Sequence, residues 1–125
     1  MAIFSYDPAL PEDRDWIRFL TGDTKDTNPE LNDMELDALL ADEDAPEPEY
    51  ADEEVTPAQI RAYRYRVAAR AAEAIAGKYA RESDVSFENQ RVALSAKFAQ
   101  YRTLAKELTA KAHGVSGGAV RLIRS

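Results

Sequence analysis

Apolar residues recur at helical spacings of three and four in four stretches of the chain and alternate with polar residues in one short segment. The first stretch is "PEDRDWIRFLTGDT", where Trp16, Phe19 and Leu20 stand at i, i+3 and i+4 and predict a short helix buried on that stripe. Pro11 suits the first helical position, Glu12 and Asp13 suit the positive end of the helix dipole, and Gly22 suits the residue just past the end. In "PELNDMELDALLADEDAP", Asn32 and Glu35 have capping-box spacing and Leu31 and Leu36 that of a hydrophobic staple. Leu36, Leu39 and Leu40 supply the stripe, and this helix is expected to stop before Pro46.

The longest helical pattern starts at "VTPAQIRAYRYRVAARAAEAIAGKYARES". Thr56 is the expected cap, Pro57 the first helical residue and Gln59 the capping-box partner, with Val55 and Ile60 as a staple. Running to about Glu82, this helix would span roughly 40 Å. It carries two apolar stripes instead of one. The first is Ile60, Tyr63, Val67, Ala71 and Ala74. The second, Tyr65, Ala68, Ala72, Ile75 and Tyr79, is the candidate surface for packing against a neighbouring subunit. The alternative, equally open on this pattern, is a central helix touched on all sides by its own bundle.

The helical period then breaks. In "SDVSFENQRVALS", Val85 and Phe87, then Val92 and Leu94, alternate with polar residues, which suggests a short hairpin or extended insertion over 84–94. Ser95 is placed to cap a last helix, whose face is Phe98, Tyr101, Leu104, Ala105, Leu108 and Ala112 and whose end is marked by Gly114. The expected fold is mainly α, a small bundle of about four helices with that insertion and an extended C-terminal tail. Residues 1–114 form the helical domain and 115–125 the flexible tail.

Charge sharpens this picture. Residues 1–55 carry 18 acidic and 3 basic side chains, a net of −15, whereas residues 56–125 carry 5 and 13, a net of +8. Such a bipolar chain can pair its halves internally or pack head to tail against copies of itself. Arg61, Arg64, Arg66 and Arg70 fall on more than one helix face, so pairing with acidic segments is the better expectation for them than nucleic-acid contact. Residues 42–54 hold eight carboxylates and two prolines around Tyr50 and read as an exposed acidic linker. Asp42, Asp44 and Glu53 match three positions of a calcium loop, but Pro46 and Glu47 occupy positions that need a ligand and a glycine, so no metal site is expected.

Little enzymatic chemistry is on offer. The chain has no cysteine and one histidine, His113, expected in the last turn of the last helix, where it suits the dipole. "GVSGG" follows a helix instead of leading into one, unlike a phosphate-binding loop. The carboxylates sit in the linker and at helix starts. No catalytic residue, cofactor or metal is assigned. Without an apolar run or a basic N-terminal region, the chain is expected to be soluble and unexported.

Residue order adds more. Tyr6-Asp7-Pro8, "DRDWIRFLTGDT" (13–24) and "PELNDMELDALLAD" (29–42), followed by "KYAR" (78–81), the "S-F…R-V-x-L-S" pattern (86–95) and "YRTLAKEL" (101–108), resemble the head–tail connector proteins of tailed bacteriophages and gene transfer agents. These are also called adaptor or head completion proteins. The chain departs from the pattern in its longer, more acidic linker, so no role is carried onto residues 42–54. The resemblance implies a structural virion protein, made in the bacterial host cytoplasm and located in the head–tail neck. It would form a homo-oligomeric ring, dodecameric on the portal protein, extend the DNA channel without binding DNA specifically, and offer a surface to the next neck, stopper or tail protein. It implies no enzyme activity and no membrane contact.

On that resemblance the tail would dock on the portal as an added strand. Val115, Gly117, Gly118, Val120, Arg121, Leu122, Ile123 and Arg124 are the candidate docking residues, with Gly114, Gly117 and Gly118 as a hinge. Alternatively, Val120 and Leu122 would pair with residues 84–94 of the same chain. A reading of another class is an acidic monomeric or dimeric interaction protein, of the DNA-mimic type, that occupies a basic cleft with the 42–54 linker.

Overall fold

Two long antiparallel helices carry the fold, with two short ones laid against the first of them. The computed structural model describes residues 4–25, 29–48, 50, 52–84 and 88–124, the side chains of 84, 88, 89 and 115–124 excepted. The elements are α1 (Asp13–Thr21), α2 (Asp33–Asp42), α3 (Pro57–Asp84) and α4 (Glu88–Arg124), and no strand occurs among the described residues. α4 returns antiparallel to α3: the Ser83 and Ser95 hydroxyls lie 3.3 Å apart, and Tyr79 stacks on Tyr101 with ring centroids 5.9 Å apart.

The predicted capping devices of α2 and α3 are present. Asn32 Oδ1 accepts from the Glu35 N–H at 2.8 Å, and Glu35 Oε1 accepts from the Asn32 N–H at 3.1 Å. Leu31 and Leu36, the staple across this cap, are both buried. Thr56 and Gln59 make the same reciprocal pair at the start of α3, at 3.1 and 2.8 Å. At the end of α1, Gly22 adopts φ 78°, its N–H bonding to Phe19 O while that of Asp23 bonds to Arg18 O. That is the left-handed turn for which a glycine carries no Cβ penalty.

The core is a single cluster in which Val67, Ala68, Ala71, Ala72 and Ile75 of α3 meet Tyr101, Ala105 and Leu108 of α4, Ile17 of α1, and Leu31 and Leu36. Both apolar stripes of α3 are therefore used within the chain. Alanine along α3 lets the neighbouring helices approach closely, which is why one long helix can be covered on more than one side.

Four expectations are corrected. Pro11 is not the first helical residue: α1 begins at Asp13 with Glu12 as its cap. The predicted stripe of α1 is rotated, because Ile17 and Arg18 are fully buried while Phe19 is 53% exposed. The hairpin over 84–94 is replaced by helix at Asp84 and from Glu88 onward, and residues 85–87 lie outside the described residues. Val92 is 70% exposed, so its alternation with Leu94 marks no buried strand face, and Leu94 instead precedes Phe98 and Tyr101 at helical spacing. Ser95 accordingly lies inside α4 and does not cap it.

The fourth concerns the tail, whose backbone continues as α4 through Gly114, Gly117 and Gly118 to Arg124 instead of turning into an extended segment. A helix already nucleated over many turns crosses isolated glycines at about 1 kcal/mol each. His113 is thus an exposed residue in the interior of α4, not in its last turn. The helical course predicts that Gly117→Ala and Gly118→Ala each stabilise the last turns by about 0.5–1 kcal/mol. Circular dichroism checks this: helicity rises if the segment is helical and is unchanged if it is extended.

Candidate functional site

The residues that carry the sequence resemblance in the first third of the chain converge on one buried guanidinium. Arg18 is 0% exposed. Its Nε donates to the Ser5 carbonyl at 2.9 Å, its Nη1 to the Asp23 carboxylate at 2.8 Å and the Leu31 carbonyl at 2.9 Å, and its Nη2 to Asp33 at 2.9 Å. The Phe4 ring covers it, 3.9 Å from ring centroid to guanidinium carbon. Asp23, also buried, accepts in addition from the Glu30 and Leu31 N–H groups at 2.9 and 3.0 Å. Asp15 ties down the other end of α1 by accepting from the Asp7 and Glu12 N–H groups. A bidentate pair from Arg14 to Asp37, both bonds 3.0 Å, joins α1 to α2. Residues 5–25 and 29–37 are thereby bound into one cap on the helical hairpin.

The cap meets α3 through opposite charges. Arg64 bonds Asp13 at 2.9 Å and lies over the Trp16 ring, 4.7 Å from its centroid. Arg66 bonds Glu43, Arg70 bonds Asp42 and Glu43, and Lys78 bonds Glu35 and the Glu30 carbonyl. Of the four arginines that could have faced nucleic acid, only Arg61 has no ion-pair partner among the described residues. Asp42, first of the three calcium-loop positions, is engaged with Arg70.

Electrostatics follow the contacts. Burial pushes the Asp33 carboxyl up, but the bonds from Arg18 and Ser5 and the Arg14 charge outweigh it and hold its pKa below the ordinary value. Burial likewise opposes ionisation of Glu35, and the Lys78 bond and the Asn32 N–H bring its pKa down on balance. The Tyr79 phenol is pushed up by burial and by its 2.6 Å bond to the Glu30 carboxylate, so it acts as a donor.

The candidate interface residues fall in two groups. Ala68, Ala72 and Ile75 are fully covered by their own chain, which corrects their assignment to a subunit contact. Tyr65 and Tyr79 are half-buried, Tyr79 against Tyr101 and Glu30. Of the docking-tail candidates, Val115, Gly117, Gly118, Val120, Arg121, Leu122, Ile123 and Arg124 lie on the helical backbone of α4, and their side chains are outside the described set.

Among the surfaces open to a partner is a mostly apolar groove of about 340 Å³ between α1 and the start of α3. Trp16, Leu20, Ile60 and Tyr65 line it, together with Arg61 and Arg64. Phe19 stands edge-on to Trp16, with ring centroids 6.2 Å apart. Sequence pattern alone hides this surface, because Trp16, Phe19 and Leu20 read as the inward stripe of α1. The signal that could have found it is an arginine between two apolar residues, Ile17 and Phe19, followed in sequence by Asp23 and Asp33. Among the described residues no three potential metal ligands gather, and no helix is long and apolar enough to cross a membrane.

No family model matches the chain, and neither a curated protein nor a solved structure matches it at a significant level.

Removing the Arg18 charge while Asp23 and Asp33 stay in place leaves the buried Asp23 carboxylate without its ion pair and Asp33 with only Arg14 as a cationic neighbour. Arg18→Met is expected to cost about 3–5 kcal/mol in denaturant unfolding. Arg64→Ala, which breaks a half-exposed pair, is expected to cost about 1 kcal/mol or less. Equal effects would contradict the hub. Stability should also depend on acid. Asp33 and Glu35 have folded pKa values below their unfolded ones, so their contribution is complete above the unfolded values and lost as pH falls through the folded ones. The denaturation midpoint should hold from pH 7 to about 5 and fall below about 4.5, with a shallower fall in Asp33→Asn.

Proposed function

We infer that this chain is a head–tail adaptor of a tailed bacteriophage or gene transfer agent, a structural protein that rings the DNA channel beneath the portal and presents a surface to the next neck or tail protein. The observation that carries this reading is the spatial unity of the resembling residues. "DRDWIRFLTGDT" and "PELNDMELDALLAD", separate in sequence, meet at Arg18, Asp23 and Asp33, so the motif order reflects one folded unit. The mainly helical bundle agrees with the fold that the resemblance implies.

Mechanism in this reading is assembly. Modest contacts repeated around a ring reinforce one another once the portal holds the first subunits in place, because each added contact is made at high effective concentration. A rigid cap suits the role, since a subunit that keeps its shape loses little entropy on joining. Net acidity lets DNA pass without being held, as non-specific affinity comes mainly from cations that neutralise phosphates. Residues 115–124 serve as the portal-docking element, as a continuation of α4 instead of an added strand.

Electron microscopy of the full chain mixed with the portal of the same genome tests this. The expected result is a ring on the portal, lost on deletion of 115–125 while circular dichroism keeps its helical signal, because Tyr101, Ala105, Leu108 and Ala112 hold α4 in the core. A persistent monomer that ignores the portal and instead occupies a basic cleft on another protein would establish the acidic-inhibitor reading in its place.

A further inference from the structure

Arg61 stands in an apolar groove without an ionic partner among the described residues, and Tyr50 stands exposed among carboxylates; each has what the other lacks. We propose that the groove of Trp16, Leu20, Ile60 and Tyr65 receives Tyr50 and the acidic residues around it from a second copy of this chain. The choice of a second copy as occupant rests on the ring reading; the chemistry of the groove does not.

Tyr50 is the one aromatic side chain of the acidic linker and is 59% exposed, so the core does not account for it. Two hydrogen bonds fix described residues beside it: Gln59 Nε2 donates to the Glu47 carbonyl at 2.7 Å, and the Glu53 N–H donates to the Tyr50 carbonyl at 3.0 Å. A tyrosine presented on a constrained turn gives much contact area at little entropic cost. Glu47, Asp52, Glu53 and Glu54 flank it, and none of them has a side-chain ion pair among the described residues.

The groove answers both features. Its walls are aromatic and aliphatic, and it is lined by exposed Arg61 and by Arg64, whose guanidinium lies over Trp16 and bonds Asp13. Charge selects the occupant. The basic C-terminal segment would bring Arg121 and Arg124 against Arg61 and Arg64, whereas the linker brings carboxylates. Donor and acceptor are different surfaces of the same chain, so the contact, made in one direction only, is heterologous. Repeated, it closes a ring or extends a filament. It replaces, as the subunit contact, the stripe of α3 that the fold has buried.

Trp16, the only tryptophan, reports occupancy of the groove. The full chain, at a concentration where it is monomeric, is titrated with a peptide of residues 46–56. A saturable change in Trp16 emission is expected, weakened about tenfold or more by Tyr50→Ala in the peptide and by Arg61→Glu in the protein. No emission change, or equal binding of a scrambled peptide of the same composition, overturns the proposal. So does an emission change on Tyr50→Ala in the monomeric full chain without peptide, which would place Tyr50 in its own groove. If the peptide binds but no ring forms on the portal, the groove stands and the adaptor reading falls. If rings form unaltered with Tyr50→Ala, the adaptor reading stands and the groove proposal falls.

Discussion

Everything in the first third of the chain hangs on a charge that has been taken out of water. A buried guanidinium is tolerated only when its N–H groups find acceptors, and Arg18 finds four of them on three segments: Ser5 before α1, Asp23 in the turn after it, and Leu31 and Asp33 at the start of α2. Two short helices of 9 and 10 residues would be marginal alone. The hub supplies geometric definition that so little apolar surface cannot, and it orients α1 so that Trp16 and Phe19 face outward beside α3.

Charge placement in the rest of the fold follows from the same economy. The acidic N-terminal part and the basic C-terminal part of the sequence meet within one molecule, where Arg64, Arg66, Arg70 and Lys78 of α3 reach Asp13, Asp42, Glu43 and Glu35. These pairs are partly exposed, so each adds little stability. Their larger effect is to fix which face of α3 the cap occupies, and Arg61 and the outer linker carboxylates are among the charges that have no ion pair among the described residues.

Capping chemistry made much of this legible in advance. The starts of α2 and α3, the staple of Leu31 and Leu36, the glycine turn at Gly22 and the inward face of α4 are local devices written in a few adjacent residues. What escaped was set by tertiary contacts. A periodicity of apolar residues cannot see an arginine that is buried by distant carboxylates, and so it misplaces the inward face of α1. Both ends of α4 mislead a local reading, since Val92 and Leu94 mimic a strand and Gly117 and Gly118 mimic a stop, while the helix runs on unbroken from the packed stretch around Tyr101, Ala105 and Leu108. The candidate surface was only partly legible: Tyr65 does line the open groove, but Ala68, Ala72 and Ile75 proved to be core.

The central physical claim, that the cap is one rigid unit bound to the hairpin through Arg18 and Asp23, is tested most directly by native-state hydrogen exchange of the Glu30 and Leu31 amides, which donate to the Asp23 carboxylate. Exchange as slow as that of the buried α3 amides at Val67 and Ala71 is the expected result, because both then open only with global unfolding. Exchange of the two cap amides on the timescale of exposed loops, with α3 still protected, would contradict it.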